Sequence, residues 1–217
     1  EKQLVCVDIS KQSLRVARRV YHHFNERMEY LCSDAIMLPF SDGSVEGIIA
    51  GGELINHVNG EKLLREIRRV LKPRGRAVVS VAMKWCSDSL YSVSDSYLGG
   101  KIGYSMTREE ATQFLLKPRS STDVTWEVTP NCNLQVTLYS CRELQEILSK
   151  TEFGILRIES LNLLSGIVPL PIQQDSNSMR LLQNLTKMLL LVDNAFLGKI
   201  PALRWFAGNV YLVLERP

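Results

Sequence analysis

The alternation of strand-like and helix-like segments in residues 3–83 limits the fold more than any other feature of the sequence. β-type runs occupy 3–8, 28–34, 45–52 and 76–83, and helical spacing occupies 11–24 and 61–71. The sequence KPRG at 72–75 ends the second helix, since Pro and Gly commonly follow a helix C-terminus. Short connections in this βαββαβ order favour a parallel sheet with helices on its faces. We therefore predict an α/β fold with a Rossmann-like, doubly wound, mostly parallel sheet.

The rest of the chain adds a helix, two strands and two insertions. Ser140 and Glu143 have the spacing of a capping box for a helix at 140–150, and strands follow at 154–160 and 209–217. We expect the last strand to be antiparallel. Residues 84–137 lose the periodicity apart from a helix at 108–116, and 161–206 form a second insertion. Because 217 residues suit one sizeable core, we predict a single domain over 1–217 with insertions at about 84–137 and 161–206.

Charge and cysteine content exclude several classes of protein. A net charge of +3 is too small to indicate a nucleic-acid partner without a clustered basic patch. The apolar run at 188–192 is broken by Asp193, so it falls short of the roughly 20 residues of a membrane span. The five cysteines are widely spaced and odd in number, which predicts neither a disulfide framework nor a metal site. These thiols favour a cytoplasmic location.

Two of the predicted strands end in a carboxylate. Asp8 ends VCVD and Asp34 ends the strand at 28–34. In open α/β sheets ligands bind beyond the carboxyl ends of strands, where an acidic residue hydrogen-bonds a ribose. Asp34, together with the backbone N–H groups after it, suits the edge of an adenine. The alternative is that Asp8 is an ordinary helix cap, because Asp and Ser often precede helices.

Three stretches resemble the central motifs of one enzyme family. They are DAIMLPFSDGSVEGII (34–49), LINHV (54–58) and LLREIRRVLKPRGRAVVSV (63–81). In order and spacing they are similar to class I S-adenosylmethionine-dependent methyltransferases of the type that includes the quinone-biosynthesis methyltransferases. The resemblance covers residues 4–83 clearly, extends to 138–160 and 207–216, and omits both insertions. It implies a Rossmann-like fold and S-adenosylmethionine as the cofactor.

The same resemblance implies a set of cofactor-binding residues at the strand ends. They are Asp8, Ile9, Asp34, Ala35, Gly51, Gly52 and Glu53. It makes Asp8 the ribose-binding acid and Asp34 an adenine-edge contact, and it places Glu53 beside the methionine part of the cofactor. His57 is the candidate general base, although a histidine that hydrogen-bonds to backbone near the site explains it equally.

The family's glycine-rich loop has no counterpart before Asp8. In the family this loop follows a strand that would lie before Glu1, and it wraps the amino-acid end of the cofactor. Gly51-Gly52 and the GGKIG stretch at 99–103 come too late in the chain to replace it. We therefore expect an N-terminal strand and glycine loop that are missing from the sequence given.

The prediction is a methyltransferase that acts on a small-molecule or lipid-like acceptor. One alternative is a nicotinamide-dependent oxidoreductase, because Asp8 suits that cofactor too. Another is a catalytically silent nucleotide-binding domain of the same fold. Trp85, Tyr91, Tyr97 and Tyr104 lie in the first insertion, where they either shape the acceptor pocket or pack the insertion. The basic run from Arg65 to Arg76 is interpreted as a solvated helix face.

The second insertion contains an apolar helical pattern at 178–206. The residues on one predicted face are Leu181, Leu182, Leu185, Met188, Leu189, Val192, Ala195 and Phe196. Leu190 falls on the opposite, polar face, and the apolar stretch GIVPLPI leads into the helix. Plain covering of the sheet explains the first face. Such covering does not explain Leu190, so we expect this insertion to form a lid with an apolar groove. A groove of this kind favours an amphiphilic acceptor and peripheral contact with a membrane surface.

Overall fold

A computed structural model describes residues 3–21, 27–99, 106–129, 132–161, 163, 165, 177–195, 197, 200 and 203–217. Its strands are β1 (Leu4–Asp8), β2 (Met28–Cys32), β3 (Val45–Ala50), β4 (Leu71–Ala82), β5 (Thr122–Thr129), β6 (Cys132–Leu138), β7 (Gly154–Leu161) and β8 (Asn209–Glu215). Its helices are α1 (Lys11–Val20), α2 (Leu54–His57), α3 (Gly60–Val70), α4 (Ser87–Leu98), α5 (Arg108–Leu116), α6 (Cys141–Lys150) and α7 (Asn177–Ala195). A short 3-10 turn, Arg204–Phe206, precedes β8.

The strands form two parallel pairs and an antiparallel end. β1 pairs in parallel with β2, and β3 pairs in parallel with β4. β8 lies antiparallel between β4 and β7, which gives the order β3-β4-β8-β7. The predicted α/β class and the antiparallel last strand are confirmed. Within the described residues, no strand pairing joins the β1–β2 pair to the four-stranded sheet.

Side-chain caps fix where the helices begin. Ser10 caps α1 and Asn59 caps α3, each by accepting a hydrogen bond from a backbone N–H in the first turn. Ser140 caps α6, but the predicted reciprocal bond from Glu143 is absent, because Glu143 Oε2 accepts from Ser121 N (2.8 Å) instead. The reciprocal capping box of the described chain lies at Thr107 and Glu110, where it starts α5.

The KPRG stretch is a bulge between α3 and the regular part of β4. The β3–β4 register jumps here, because Val45 pairs with Leu71 but Gly47 pairs with Arg76. Arg74 takes a left-handed φ of 62°, and a Cβ at Gly75 would lie 2.7 Å from the Lys72 carbonyl oxygen. Glycine is therefore required at position 75, and the stretch turns a helix directly into a central strand.

The main core lies between the four-stranded sheet and helices α3 and α6. Fully buried side chains from α3 include Leu63, Leu64 and Ile67, and they join Val79 and Leu212 of the sheet in one cluster. Each such side chain stabilises the fold by about 1.5–3 kcal/mol relative to leaving it exposed.

The insertion after β4 has a second core of its own. α4, α5 and the β5–β6 hairpin enclose Ala82, Val93, Met106, Ala111, Phe114, Val124, Val136 and Leu138. The prediction that regular structure is lost over 84–137, apart from one helix, was wrong. Thr122 and Val124 are buried while Asp123 between them is exposed, so a short strand alternation was present in the sequence.

Helix α7 turns a different face inward from the one that its apolar spacing predicts. Asp193 is fully buried, and its Oδ2 accepts from Ser165 N (2.9 Å) and Ser165 Oγ (2.8 Å). Leu189 and Leu190 lie one turn earlier and are half-buried. Among the described side chains of this helix, the large apolar ones that are exposed are Leu185, Met188, Leu191 and Val192, with exposed fractions between 37% and 70%. Because the helix turns Asp193 inward, Leu190 on the same side is turned inward too, which explains an apolar residue at that position.

Several residues of the predicted lid fall outside the description. The side chains of Leu181, Leu182 and Phe196 lie outside the described residues, as does the whole of 166–172. In the part of the chain that the structure does describe, no helix is long and apolar enough to cross a membrane.

Candidate active site

Two acidic strand ends lie side by side at one edge of the β1–β2 pair. Asp8 ends β1 opposite Cys32, which ends β2. Asp34 follows two residues later, and Ser33 N donates to the Asp8 carbonyl oxygen (3.2 Å). Because the strands are parallel, both carboxylates follow strand ends at the same edge of the pair. The two tips are therefore neighbours, as the sequence predicts.

The carboxylate of Asp8 does not cap α1. Ser10 is the N-cap, and its Oγ accepts from Ser13 N (3.1 Å). Asp8 Oδ1 accepts from Ser10 N (2.7 Å), which fixes the carboxylate at the strand end. Among the described residues, no hydrogen bond to Asp8 Oδ2 is found. The next side chain, Ile9, is 72% exposed. A free carboxylate oxygen and an open apolar side chain thus stand next to each other.

The turn after β2 folds around Asp34. Asp34 Oδ1 accepts from Ile36 N (3.0 Å), and the Asp34 carbonyl oxygen accepts from Met37 N (3.1 Å). Ala35 and Ile36 pack against the main core, whereas Met37 is 74% exposed. The turn is therefore held on its inner side and presents Met37 outward.

Glu53 is fixed by contacts at both its backbone and its side chain. Its φ of 51° is left-handed, an uncommon conformation for a residue other than glycine. Glu53 N donates to Ser80 Oγ on β4 (2.9 Å). With the amide of Asn209 oriented so that its nitrogen faces acceptors, Asn209 Nδ2 donates to Glu53 Oε1 (2.6 Å). A strained residue held in this way is typical of a functional site.

Gly51 and Gly52 form an open bend between β3 and Glu53. A Cβ placed on either glycine would meet nothing within 4 Å. Gly52 has a left-handed φ of 63°, so position 52 favours glycine because of its backbone conformation and not because a side chain would clash. The backbone here is accessible to a ligand.

His57 lies at the end of α2, and its neighbour Asn56 anchors that helix. Asn56 is buried, and its Nδ2 donates to the carbonyl oxygens of Ala82 (2.9 Å) and Thr137 (2.6 Å), while its Oδ1 accepts from Ala82 N (2.9 Å). His57 Nδ1 is buried and has no hydrogen-bond partner within the described chain. The two interpretations of His57, as a general base and as a histidine bonded to backbone, both stay predictions.

The sequence analysis missed Asn56 and Asn209. Asn56 joins α2, β4 and β6 through one amide, and Asn209 joins β8 to Glu53. The signal for Asn56 was a polar side chain between the apolar residues of LINHV. Asn209 offered no local signal, because its partner is far away in the sequence.

The insertion is attached to the main sheet at the end of β4. Met83 and Tyr139 form an isolated parallel bridge, with Lys84 N donating to Tyr139 O (2.9 Å). Lys84 is fully buried, and its Nζ donates to the carbonyl oxygens of Lys117 (2.7 Å) and Ser120 (2.8 Å). Burial lowers the pKa of this amine.

A close contact beside this attachment involves Gly60. Tyr139 Oη donates to the Ile55 carbonyl oxygen (3.4 Å), and a Cβ on Gly60 would lie 2.4 Å from that hydroxyl oxygen. Glycine at the start of α3 therefore lets the insertion approach α2.

The aromatic residues of the insertion have mixed surroundings. Trp85 packs edge-on against Phe114 at 4.9 Å between ring centroids, and its Nε1 donates to the Pro118 carbonyl oxygen (2.9 Å), which agrees with the packing interpretation. Tyr97 is about half exposed and its hydroxyl pairs with Thr112 Oγ1 (3.2 Å). Tyr104 lies outside the described residues.

Comparison with known proteins adds a family match over the first part of the chain. Residues 1–79 match a family model described as a methyltransferase domain. A demethylmenaquinone methyltransferase of Clavibacter sepedonicus is 40% identical over 76 residues, 35% of this chain and 31% of the relative. An O-methyltransferase of Penicillium expansum is 27% identical over 140 residues, 62% of this chain and 51% of the relative. The matched part therefore spans about a third to a half of these relatives.

Solved structures resemble almost the whole chain. One is a S-adenosylmethionine-dependent methyltransferase from Methanosarcina mazei, with a TM-score of 0.57 and 14% identity. The match covers 99% of this chain and 82% of the Methanosarcina chain. Another is a geranyl diphosphate C-methyltransferase from Streptomyces coelicolor, with a TM-score of 0.51 and 15% identity. The match covers 99% of this chain and 64% of the Streptomyces chain. At these identities the likeness shows the fold alone.

The fold is Rossmann-like, and two acidic strand ends lie at one edge of its β1–β2 pair. Residues 1–79 are thus similar to a methyltransferase domain, and the fold resembles that of S-adenosylmethionine-dependent methyltransferases.

Proposed function

We propose that the protein transfers a methyl group from S-adenosylmethionine to a small amphiphilic acceptor. The observation that carries the proposal is the pair of neighbouring acidic strand ends, Asp8 and Asp34, within the sequence motifs of the family. In this proposal Asp8 holds the ribose hydroxyls with Oδ2, the carboxylate oxygen that does not accept from Ser10 N. Asp34 and Ala35 bind the adenine edge, and Ile9 contacts the adenine face.

The methionine part of the cofactor is assigned to the bend after β3. The open backbone of Gly51 and Gly52 allows close approach of a ligand, and Glu53 is held rigidly beside them. A fixed carboxylate at this position favours the cationic groups of the cofactor, since its charge needs no reorganisation on binding.

We further propose that residues 1–217 belong to one methyltransferase domain, completed by an upstream strand and glycine-rich turn. Support comes from an edge strand of each sheet. In the described chain, neither β1 nor β3 pairs with a second strand on its outer side. Ile49 on β3 is 83% exposed, and Leu4 and Val5 on β1 are 51% and 38% exposed. An added strand would cover this apolar surface and pair both edges.

His57 is assigned the role of general base. In the reaction, an acceptor atom bonds to the methyl carbon while the sulfur–carbon bond breaks and its electron pair returns to sulfur, which leaves S-adenosylhomocysteine. Positioning supplies much of the acceleration. An acceptor that carries a proton must also lose it, and we assign that proton to the imidazole of His57, which is half-buried at the end of α2.

The acceptor is assigned an apolar part because of helix α7. Its outward apolar side chains, Leu185, Met188, Leu191 and Val192, leave an uncovered surface in the insertion before β8. One relative, 35% identical over 77 residues, is named as a 2-phytyl-1,4-naphtoquinone methyltransferase, and its named substrate carries a phytyl chain. Peripheral contact of α7 with a membrane surface would give access to such a substrate. We place the protein in the cytoplasm, where its free thiols stay reduced.

Calorimetric titration of the full-length protein with S-adenosylmethionine, S-adenosylhomocysteine and NAD tests the cofactor. Asp8→Ala should weaken S-adenosylhomocysteine binding by about 1.5–3 kcal/mol because charge-assisted hydrogen bonds are lost. Ser10→Ala is the matched control, since it removes the cap of α1 and should cost about 1 kcal/mol of stability with little change in binding. Tight binding of NAD alone would support the oxidoreductase, and cofactor binding without turnover on any acceptor would support a silent domain.

A methylation screen and liposome flotation test the acceptor. Lipid-linked acceptors should be methylated in preference to their water-soluble analogues. Leu191→Ser should reduce flotation, whereas Gln183→Ser, on an exposed polar position of the same helix, should not. Activity restricted to small polar acceptors, with no flotation, would contradict the amphiphilic acceptor while leaving the cofactor assignment standing.

A further inference from the structure

The side chain of Arg69 on α3 reaches across to the turn that follows Asp34. Its Nη2 donates to the Leu38 carbonyl oxygen (2.9 Å), and its Nη1 donates to the Phe40 carbonyl oxygen (2.9 Å) and to Asp42 Oδ1 (2.6 Å). The interpretation of the basic run as a solvated helix face is therefore wrong for Arg69. Arg65 on the same helix, which pairs with Glu61 and is 58% exposed, agrees with that interpretation.

Glu66 completes the attachment from the preceding turn of α3. Its carboxylate accepts from Arg69 Nε (2.9 Å) and Nη2 (2.8 Å), and Oε1 also accepts from Leu38 N (2.6 Å). The Arg69 guanidinium lowers the pKa of this carboxyl group. The Arg69 carbonyl oxygen accepts from Gly43 N (2.9 Å). Residues 38–43 are thus held mainly through their backbone, by two neighbouring side chains of one helix.

Within the described chain, the half of the turn that contains Asp34 is shaped mainly by hydrogen bonds between its own residues. Its hydrogen bonds are local: Ile36 N to Asp34 Oδ1, Met37 N to the Asp34 carbonyl oxygen, and Ser33 Oγ to the Met37 carbonyl oxygen. Such bonds fix the shape of the turn but not its place in the fold. Its place in the fold is set before the turn by Ser33 N, which donates to the Asp8 carbonyl oxygen (3.2 Å), by the packing of Ala35 and Ile36 on the main core, and after the turn by the contacts of Leu38 with Arg69 and Glu66.

We propose that Arg69 and Glu66 are positioning residues that hold the Asp34–Ala35 turn in the geometry that binds adenine. The inference rests on the proposed function and adds a mechanism to it. A turn fixed before the ligand arrives does not have to be ordered on binding, so affinity is gained without a direct contact.

Cofactor titrations of Arg69 variants of the full-length protein test this inference. Arg69→Met should raise the Kd for S-adenosylhomocysteine on the order of tenfold. Arg69→Lys should have the same effect, because lysine keeps the positive charge but cannot reach all the acceptors that the guanidinium group binds. Arg65→Met is the matched control and should leave the Kd unchanged. In an Asp34→Ala background, Arg69→Met should have little further effect on the Kd, because the contact that it positions is already gone.

The outcomes separate positioning from plain stabilisation. A lower melting temperature with the wild-type Kd in both Arg69 variants would overturn the inference and leave Arg69 as a structural residue only. Full additivity of Arg69→Met and Asp34→Ala in the Kd would overturn it as well. If the wild-type protein binds no S-adenosylhomocysteine, the proposed function fails and the inference fails with it.

Discussion

Replacing Asn56 by alanine should destabilise the protein far more than an ordinary polar surface change. The substitution removes two buried hydrogen bonds and a part-buried one, and it leaves the Ala82 N–H and the Thr137 carbonyl oxygen without this partner. An unsatisfied buried polar group costs about 1–3 kcal/mol. Two such groups give an expected loss of about 3–5 kcal/mol in the free energy of unfolding.

Urea unfolding at neutral pH measures this loss, with Asn59→Ala as the control. Asn59 is an exposed N-cap on the next helix, three residues further on, so its replacement should cost only about 1 kcal/mol. Asn56→Asp should be worse than Asn56→Ala, because a carboxylate oxygen would face two carbonyl oxygens. Acidification protonates that carboxylate and restores a donor, so the gap between Asn56→Asp and wild type should narrow at low pH. Equal losses for Asn56→Ala and Asn59→Ala would refute the argument that one amide joins β4 to β6.

Three further changes test the packing around the insertion. Gly60→Ala should cost about 1–3 kcal/mol through its clash with Tyr139 Oη, and part of this loss should return in a Tyr139→Phe background, as thermal melting would show. Burial lowers the pKa of Lys84 from its ordinary 10.5, so the native state binds fewer protons than the unfolded state between the lowered value and 10.5. Wild-type stability should therefore rise with pH across that window, and Lys84→Met should abolish the rise in a urea series. Asp193→Leu should leave Ser165 without its carboxylate acceptor and speed amide exchange along α7, whereas the exposed Lys187→Leu should not.

The first 83 residues could be predicted well because their signals are local. The strand ending in Asp8 and the helix after it are set by β-type runs, helical spacing and a capping serine within a few positions. The helix at 108–116 was predicted with its observed bounds, since Thr107 and Glu110 cap it. The neighbouring tips of β1 and β2 followed from the rule that parallel strands end at one edge of a sheet.

The rest depended on contacts between distant residues. Helix α4 is rich in serine, which favours caps and turns over helix interiors, and burial of Val93 in the second core supports it. The face that α7 turns inward depends on the bond between Asp193 and Ser165, which spacing alone does not reveal. Arg69 looked like any charged helix residue until its acceptors on the turn after Asp34 were located.

The bridge between Met83 and Tyr139 has a consequence for protein engineering. The chain leaves the main sheet at Met83 and returns beside it at Tyr139, so the whole segment between them begins and ends at one place. A segment with adjacent ends and its own hydrophobic core can be exchanged for another with little strain on the host. Grafts that keep Asn56, Gly60 and Tyr139, the residues through which the segment contacts helices α2 and α3, should fold. They offer a route to altered acceptor selectivity on the same cofactor-binding half.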